Sequence, residues 1–302
     1  MKGVLFLSHI LDYRFISTQQ IKNEVMSYGV KMVGAEYEWP ETMGSGIKVG
    51  VIDTGVDINH SDLKNRIKSC VNFTGGKRYD VSDNSGHGTH VCGIIAAEKN
   101  GIGVVGVAPQ CDLYVAKAFD DNGVGDAKAI ISSLDWLIMQ KVDIINMSFS
   151  SDYADADEKR AINRCLANGI TLVAAAGNNG EGSRVSYPAR YDGVIGVAAV
   201  DINKNVSDFS SCGEEIILAA AGTDILSTYK NNEYAILSGT SMAAPIISGA
   251  AAIIQAKSKK RFSRRLTPSE IEKVMGIYAD NKIGNENNLC YGCGIFSFGR
   301  IK

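Results

Sequence analysis

Ile47-Lys48-Val49-Gly50-Val51-Ile52-Asp53-Thr54-Gly55 is the stretch on which the fold turns. Its apolar run is short, rich in β-branched residues and closed by a polar turn, the pattern of a strand buried on both faces of a parallel sheet. Outward from it, similar runs alternate with amphipathic stretches, as in βαβ units. Strands are expected at 112–118, 142–147, 171–176, 194–200 and 216–219, and helices at 87–97, 127–140, 157–168 and 240–255. A last helix is expected at 268–278, where Thr267 can cap, Pro268 fills the first helical position and Glu270 completes a capping box. The fold class expected is α/β, one domain with a mostly parallel central sheet flanked by helices.

Composition narrows the function classes. A chain of 302 residues, 45% hydrophobic, can bury one large core. With 31 basic against 33 acidic side chains it has no broad field to hold nucleic acid or an anionic membrane. Its seven cysteines lack the regular spacing of a disulfide scaffold, so buried or idle thiols in a reducing compartment are expected. Cys290-x-x-Cys293 has neither a second such pair nor a nearby histidine to complete a zinc site. The apolar start, Gly3 to Leu11, is broken by Ser8 and His9 and followed by Asp12 and Arg14, which makes a poor signal peptide. A cytoplasmic location is the expectation. There is no internal repeat, and the short Pro/Gly/Ser-rich stretches read as turns.

Three segments carry side chains suited to nucleophilic catalysis. Asp53 closes the first strand, so its carboxylate lies at the carboxyl edge of the sheet, where open α/β folds place their ligands. In Asn84-Ser85-Gly86-His87-Gly88-Thr89-His90, glycines flank His87 and permit close approach, while His90, one turn on, is expected to pack or cap. In Gly239-Thr240-Ser241-Met242-Ala243-Ala244-Pro245, Ser241 stands at a helix N-terminus, where N–H groups and the dipole favour developing negative charge. Pro245 is expected to be harmless there, as N–H groups of a first turn lack intrahelical partners. A base beside a hydroxyl, an acid fixing the base, and donors for an oxyanion are what serine-based peptide hydrolysis requires.

The three segments, in the order Asp, His, Ser, resemble the motifs of the subtilisin family, whose triad runs in that order. The likeness runs over about residues 28 to 300 and is nearest to intracellular subtilisins. It implies a subtilisin-like three-layer fold and a serine endopeptidase with Asp53, His87 and Ser241 as its triad. Ala174-Ala175-Ala176-Gly177-Asn178-Asn179-Gly180 is similar to the family's oxyanion segment, which gives Asn178 that role. By the same resemblance Gly123, Val124 and Gly125 form one wall of the substrate cleft and Ser148, Phe149 and Ser150 the other. Ser150 and Ser151 replace two glycines usual in the family, a departure that narrows or re-aims the cleft. Ala175, Gly177 and Ser186 would line a small, uncharged pocket for a hydrophobic or medium-sized side chain. Calcium is implied at Asp62, Glu98, Asn100, Ile102 and Val104, the last two and Glu98 through carbonyls, an oxygen set suited to a hard cation.

Tyr28-Gly29-Val30-Lys31-Met32-Val33 is similar to the start of the family's mature domain. Residues 1–27 would then be a short extension and 28–302 the catalytic domain. The extension lacks the Leu-Ile-Pro-Tyr motif of intracellular relatives, and Val4 to Ile10 is the segment expected to block the cleft. Polypeptide substrates are the partners implied, and a homodimer is left open. The basic cluster Lys257 to Arg265 and the acidic run Asp152 to Glu158 read as solvated surface. A catalytically silent binding protein on the same fold is the competing reading, since fold alone does not prove activity.

Overall fold

The computed structural model describes residues 7–10, 14–19, 21, 23–180, 182–280 and 289–301. In chain order its strands are β1 (Leu7–Ile10), β2 (Arg14–Gln19), β3 (Val25–Met26), β4 (Lys48–Asp53), β5 (Ile67–Asn72), β6 (Val104–Val105), β7 (Asp112–Lys117), β8 (Val124–Asp126), β9 (Ile144–Met147), β10 (Phe149–Ser150), β11 (Thr171–Ala175), β12 (Val194–Val200), β13 (Ile216–Ala221), β14 (Ile225–Tyr229), β15 (Glu233–Ser238), β16 (Ala279–Asp280) and β17 (Ile295–Phe296). The α-helices are α1 (Tyr28–Val33), α2 (His87–Ala96), α3 (Ala127–Gln140), α4 (Ala156–Ala167), α5 (Thr240–Phe262) and α6 (Pro268–Tyr278).

A nine-stranded sheet in the order β16-β17-β13-β12-β11-β9-β4-β7-β5 forms the middle layer. Its pairings are parallel except at the β16–β17 edge. The strand period of two divides the side chains: Val49 and Val51 join the core shared with α2 and α5, while Ile52 joins the core shared with α3 and α4. Gly50, between them, lies under Leu137 of α3, where an added Cβ would stand 2.8 Å from its methyl carbons. These two apolar layers make the fold three-layered, as the sequence pattern implies.

Helix α5 runs through the middle of the molecule and is 23 residues long, a turn and more beyond the expected end at Gln255. Its small residues explain the burial: a Cβ at Gly249 would meet Val107 at 2.6 Å. The extra length ends in Lys259, Lys260 and Arg261, basic residues where the helix dipole is negative. Among the described residues no helix is long and apolar enough to cross a membrane. The basic cluster is mostly exposed, and its members also pair: Lys257 with Glu38 at 2.5 Å, Arg264 with Glu270 at 2.9 Å and Arg265 with Asp143 at 2.9 Å. The acidic run holds a correction. Glu158 is buried beneath α4, and burial, with Asp155 nearby, pushes its carboxyl up to about 7.

Two features lie outside what the periodicity indicated. Strands β14 and β15 form a hairpin whose turn places Asn231 and Asn232 at φ 61° and 57°, so an Asn-Asn pair between apolar runs was its signal. Cys212 and Cys290 form a disulfide with Cα atoms 4.5 Å apart, against the expectation of idle thiols throughout. It closes a loop with a sequence separation of 78, a cross-link that ordinarily stabilises by roughly 2–4 kcal/mol. Cys70, Cys92, Cys111, Cys165 and Cys293 are free thiols.

Candidate active site

Asp53 is the last residue of β4, fully buried at the carboxyl edge of the sheet. Its Oδ1 accepts from the Thr54 backbone N–H at 2.7 Å and contacts His87 Nδ1 at 2.7 Å. With Nδ1 donating to the carboxylate, a neutral His87 ring keeps its lone pair on Nε2, the tautomer a general base needs. His87 opens α2, and the close approach of that helix to β4 requires glycine at the next position. A Cβ at Gly88 would stand 2.2 Å from the Gly55 carbonyl oxygen. Three residues along, His90 is also fully buried, but its Nε2 lies 3.0 Å from the Ile225 carbonyl and 3.1 Å from that of Ala235. Burial and the neighbouring His87 push its ring down to about 3, so it packs as a neutral donor, as expected.

Ser241 sits in the first turn of α5, with its N–H among the donors that lack an intrahelical acceptor. Its Oγ donates to the Ser148 carbonyl at 3.2 Å, while Ser148 Oγ donates to the Ser241 carbonyl at 2.9 Å. Pro245 explains the second bond and corrects the expectation for it. An i→i−4 bond to the Ser241 carbonyl would come from residue 245, which as proline has no N–H, and the Ser148 hydroxyl takes its place. Behind Ser148, Asn146 Nδ2 donates to its Oγ at 2.9 Å and Ser248 Oγ donates to Asn146 Oδ1 at 2.8 Å. The nucleophile candidate is therefore held from behind by a buried polar chain.

Asn178 faces the same helix start. Its Oδ1 accepts from Thr240 N at 3.0 Å and from Thr240 Oγ1 at 2.8 Å. A backbone N–H can only donate, so the atom facing it must be oxygen, and the amide Nδ2 points the other way. Thr240, which fixes this orientation, went unread in the sequence although it adjoins Ser241. Gly177 has φ 117°, and a Cβ there would meet Ser186 Oγ and Ser211 Oγ at 2.9 Å. Gly177 and Ser186 are thus neighbours, Ala175 is buried just before them, and Ser151 pairs with Tyr187 beside Ser186.

Between the two segments expected to wall the cleft lies a strand, β1. β1 pairs antiparallel with β8, Ser8 opposite Gly125 and His9 opposite Val124. It pairs on its other side with β10, His9 opposite Ser150 and Ile10 opposite Phe149, and the Ile10 N–H reaches the Gly123 carbonyl at 2.8 Å. The carboxyl end of β1 therefore lies beside Ser148, whose carbonyl receives the Ser241 hydroxyl. Of the segment expected to block the cleft, residues 4–6 lie outside the described residues. β2, further along the chain, adds to the edge of β15, with Arg14 opposite Ser238.

At the expected calcium loop, Asp62 is buried and its carboxylate accepts from Asn100 Nδ2 at 3.1 Å and Val104 N at 2.9 Å. Glu24, unread in the sequence, reaches the same loop, its Oε2 accepting from Gly101 N at 3.0 Å. Among the described residues no three His, Cys, Asp or Glu side chains gather around one point. The side chains that do gather, Asp62, Asn100 and Glu24, carry carboxylate and amide oxygens, donor types that a hard cation takes, and here those oxygens face N–H groups of the loop.

The family model described as the Subtilase family matches residues 44–294. The chain is a subtilase. It is 42% identical to the major intracellular serine protease of Bacillus subtilis (strain 168), over 85% of this chain and 84% of the relative. The intracellular serine protease of Paenibacillus polymyxa is 42% identical over 97% of this chain and 93% of its own length. Subtilisin DY of Bacillus licheniformis is 43% identical over 91% of this chain and 97% of its own. This subtilase is a serine endopeptidase, and polypeptides are its substrates.

Proposed function

We propose that Asp53, His87 and Ser241 carry the hydrolysis, and that the enzyme serves protein turnover or peptide processing in the cytoplasm. The observation that carries the reading is the buried 2.7 Å contact between Asp53 Oδ1 and His87 Nδ1 on α2, a helix that packs against α5, whose first turn holds Ser241. His87 Nε2 takes the proton of Ser241 Oγ as that oxygen attacks the substrate carbonyl, and the carboxylate of Asp53 offsets the charge that develops on the ring. The oxyanion is met by Asn178 Nδ2 and the Ser241 N–H. His87 then protonates the leaving amine, and water resolves the acyl-enzyme by the reverse sequence of proton transfers. The cytoplasmic location follows the two relatives named as intracellular proteases.

Residues 1–27 act as an inhibitory extension on a catalytic domain of residues 28–302. Supporting this is β1, which lies between β8 and β10 as an added peptide strand would. Asp62, Asn100 and Glu24, with the carbonyls of Glu98, Ile102 and Val104, would hold calcium, which would there brace the loop and supply no step. Chelation should lower Tm in the wild type but not in Asp62→Ala. The test of the catalytic reading is Asn178→Ala, which should lower kcat by roughly 10²–10³-fold with KM little changed. An unchanged kcat would overturn the oxyanion assignment.

A further inference from the structure

Among the buried carboxylates to which the hydrolytic scheme gives no task, Asp83 stands nearest in the chain to His87. Asp83 is 6% exposed, and four donors converge on it. Its Oδ1 accepts from Thr54 Oγ1 at 2.8 Å and from Gly86 N at 2.8 Å; its Oδ2 accepts from Thr89 N at 2.7 Å and Thr89 Oγ1 at 2.6 Å. These donors belong to the two segments that must be aligned for proton transfer. Thr54 follows Asp53 at the end of β4, and Gly86 and Thr89 bracket His87 at the start of α2.

Thr54 makes the coupling specific. Its hydroxyl oxygen accepts from Gly88 N at 3.0 Å, and its single hydrogen has two carboxylates within reach: Asp83 Oδ1 at 2.8 Å and Asp53 Oδ1 at 3.2 Å. Asp53 Oδ1 is the oxygen that holds His87. While Asp83 takes the hydrogen at the shorter distance, Asp53 Oδ1 keeps its electron density for the imidazole and the Thr54 N–H. Remove the Asp83 charge and the Thr54 hydroxyl turns to Asp53, where it competes with His87 for the same oxygen.

We infer that Asp83 is a positioning residue for hydrolysis, a second buried carboxylate that holds the Thr54 hydroxyl away from Asp53 and fixes the start of α2 around His87 without touching substrate. Lys117 braces the same junction: its Nζ donates to the Ser82 carbonyl at 3.0 Å and to that of Thr54. This inference rests on the triad reading above, so its test must separate the two.

The experiment measures kcat and KM of the full chain as purified, with each N-terminus checked by mass spectrometry. Asp83→Asn should lower kcat by roughly 10- to 100-fold with KM within about twofold, the size expected when hydrogen bonds to a buried charge are lost. In a His87→Ala background the same substitution should cost nothing further, because the group it positions is gone. A purely structural role would not produce that non-additivity. Should Asp83→Asn fail to fold, the Thr54 pair decides: Thr54→Val should lose roughly tenfold in kcat, and Thr54→Ser, which keeps the hydroxyl, should recover most of it. Wild-type kcat in Asp83→Asn, an equal loss in the His87→Ala background, or matching losses in both Thr54 variants would overturn the inference and leave the triad standing. An active His87→Ala enzyme would instead overturn the triad itself.

Discussion

His87 and His90 share one turn of α2 and are both fully buried, yet they meet different partners. The first has a carboxylate at 2.7 Å; the second has two carbonyl oxygens at 3.0 and 3.1 Å. A carboxylate can stabilise an imidazolium as it forms, whereas carbonyls reward a ring that stays neutral and donates. Burial is common to both, so what would separate the proposed proton carrier from a packed side chain is the charge of the partner.

The comparison breaks most visibly on activity. His87→Ala should lower kcat by roughly 10⁴- to 10⁶-fold while the protein still folds, as checked by circular dichroism and peptide hydrolysis. His90→Ala should do the opposite, destabilising by roughly 2–4 kcal/mol through lost packing and two abandoned carbonyls, with kcat of the folded enzyme within about threefold of wild type. If His90→Ala instead abolished turnover in folded protein, the division of labour would be wrong.

Acid titration sharpens the contrast. His90 is held down to about 3 by burial first and by His87 second, so the unfolded chain binds its proton more readily than the native one. Stability is then full above about pH 6.5 and falls as pH drops below it, by about 1.4 kcal/mol per pH unit for this one proton. Urea unfolding from pH 7 to 5 should give a shallower slope in His90→Gln than in wild type. His60, also lowered by burial, is present in both proteins and does not affect the difference. Glu158 supplies the smallest and opposite effect. Burial raises it to about 7, so the native state holds the extra proton and stability declines as pH rises from about 4.5 to 7. Its place in the first turn of α4 lets the helix dipole offset part of that cost, so Glu158→Gln should flatten the neutral-pH decline by no more than about 1 kcal/mol per unit.

What the sequence made legible follows the same division. β4, β12, α3 and α6 were readable because periodicity and caps are local, and α6 shows the expected capping box. The triad candidates were readable because glycines and small residues mark close approach in the chain itself. The disulfide was not, since pairing depends on which loops the fold brings within 4.5 Å. Nor were Asp83, Glu24 and Thr240 singled out: their roles arise from partners on other elements, and a lone acid or threonine carries no local signature. The strand at 7–10 was suspected only as a blocking segment, because its pairing lies with β8 and β10, far along the chain.

Fluorophosphonate labelling with mass-spectrometric mapping tests the central claim most directly, applied to the full chain and to the chain lacking residues 1–13. The account predicts one adduct, on Ser241, formed faster in the shortened chain and lost to background in His87→Ala. An adduct on another residue, or undiminished labelling of Ser241 without His87, would contradict it.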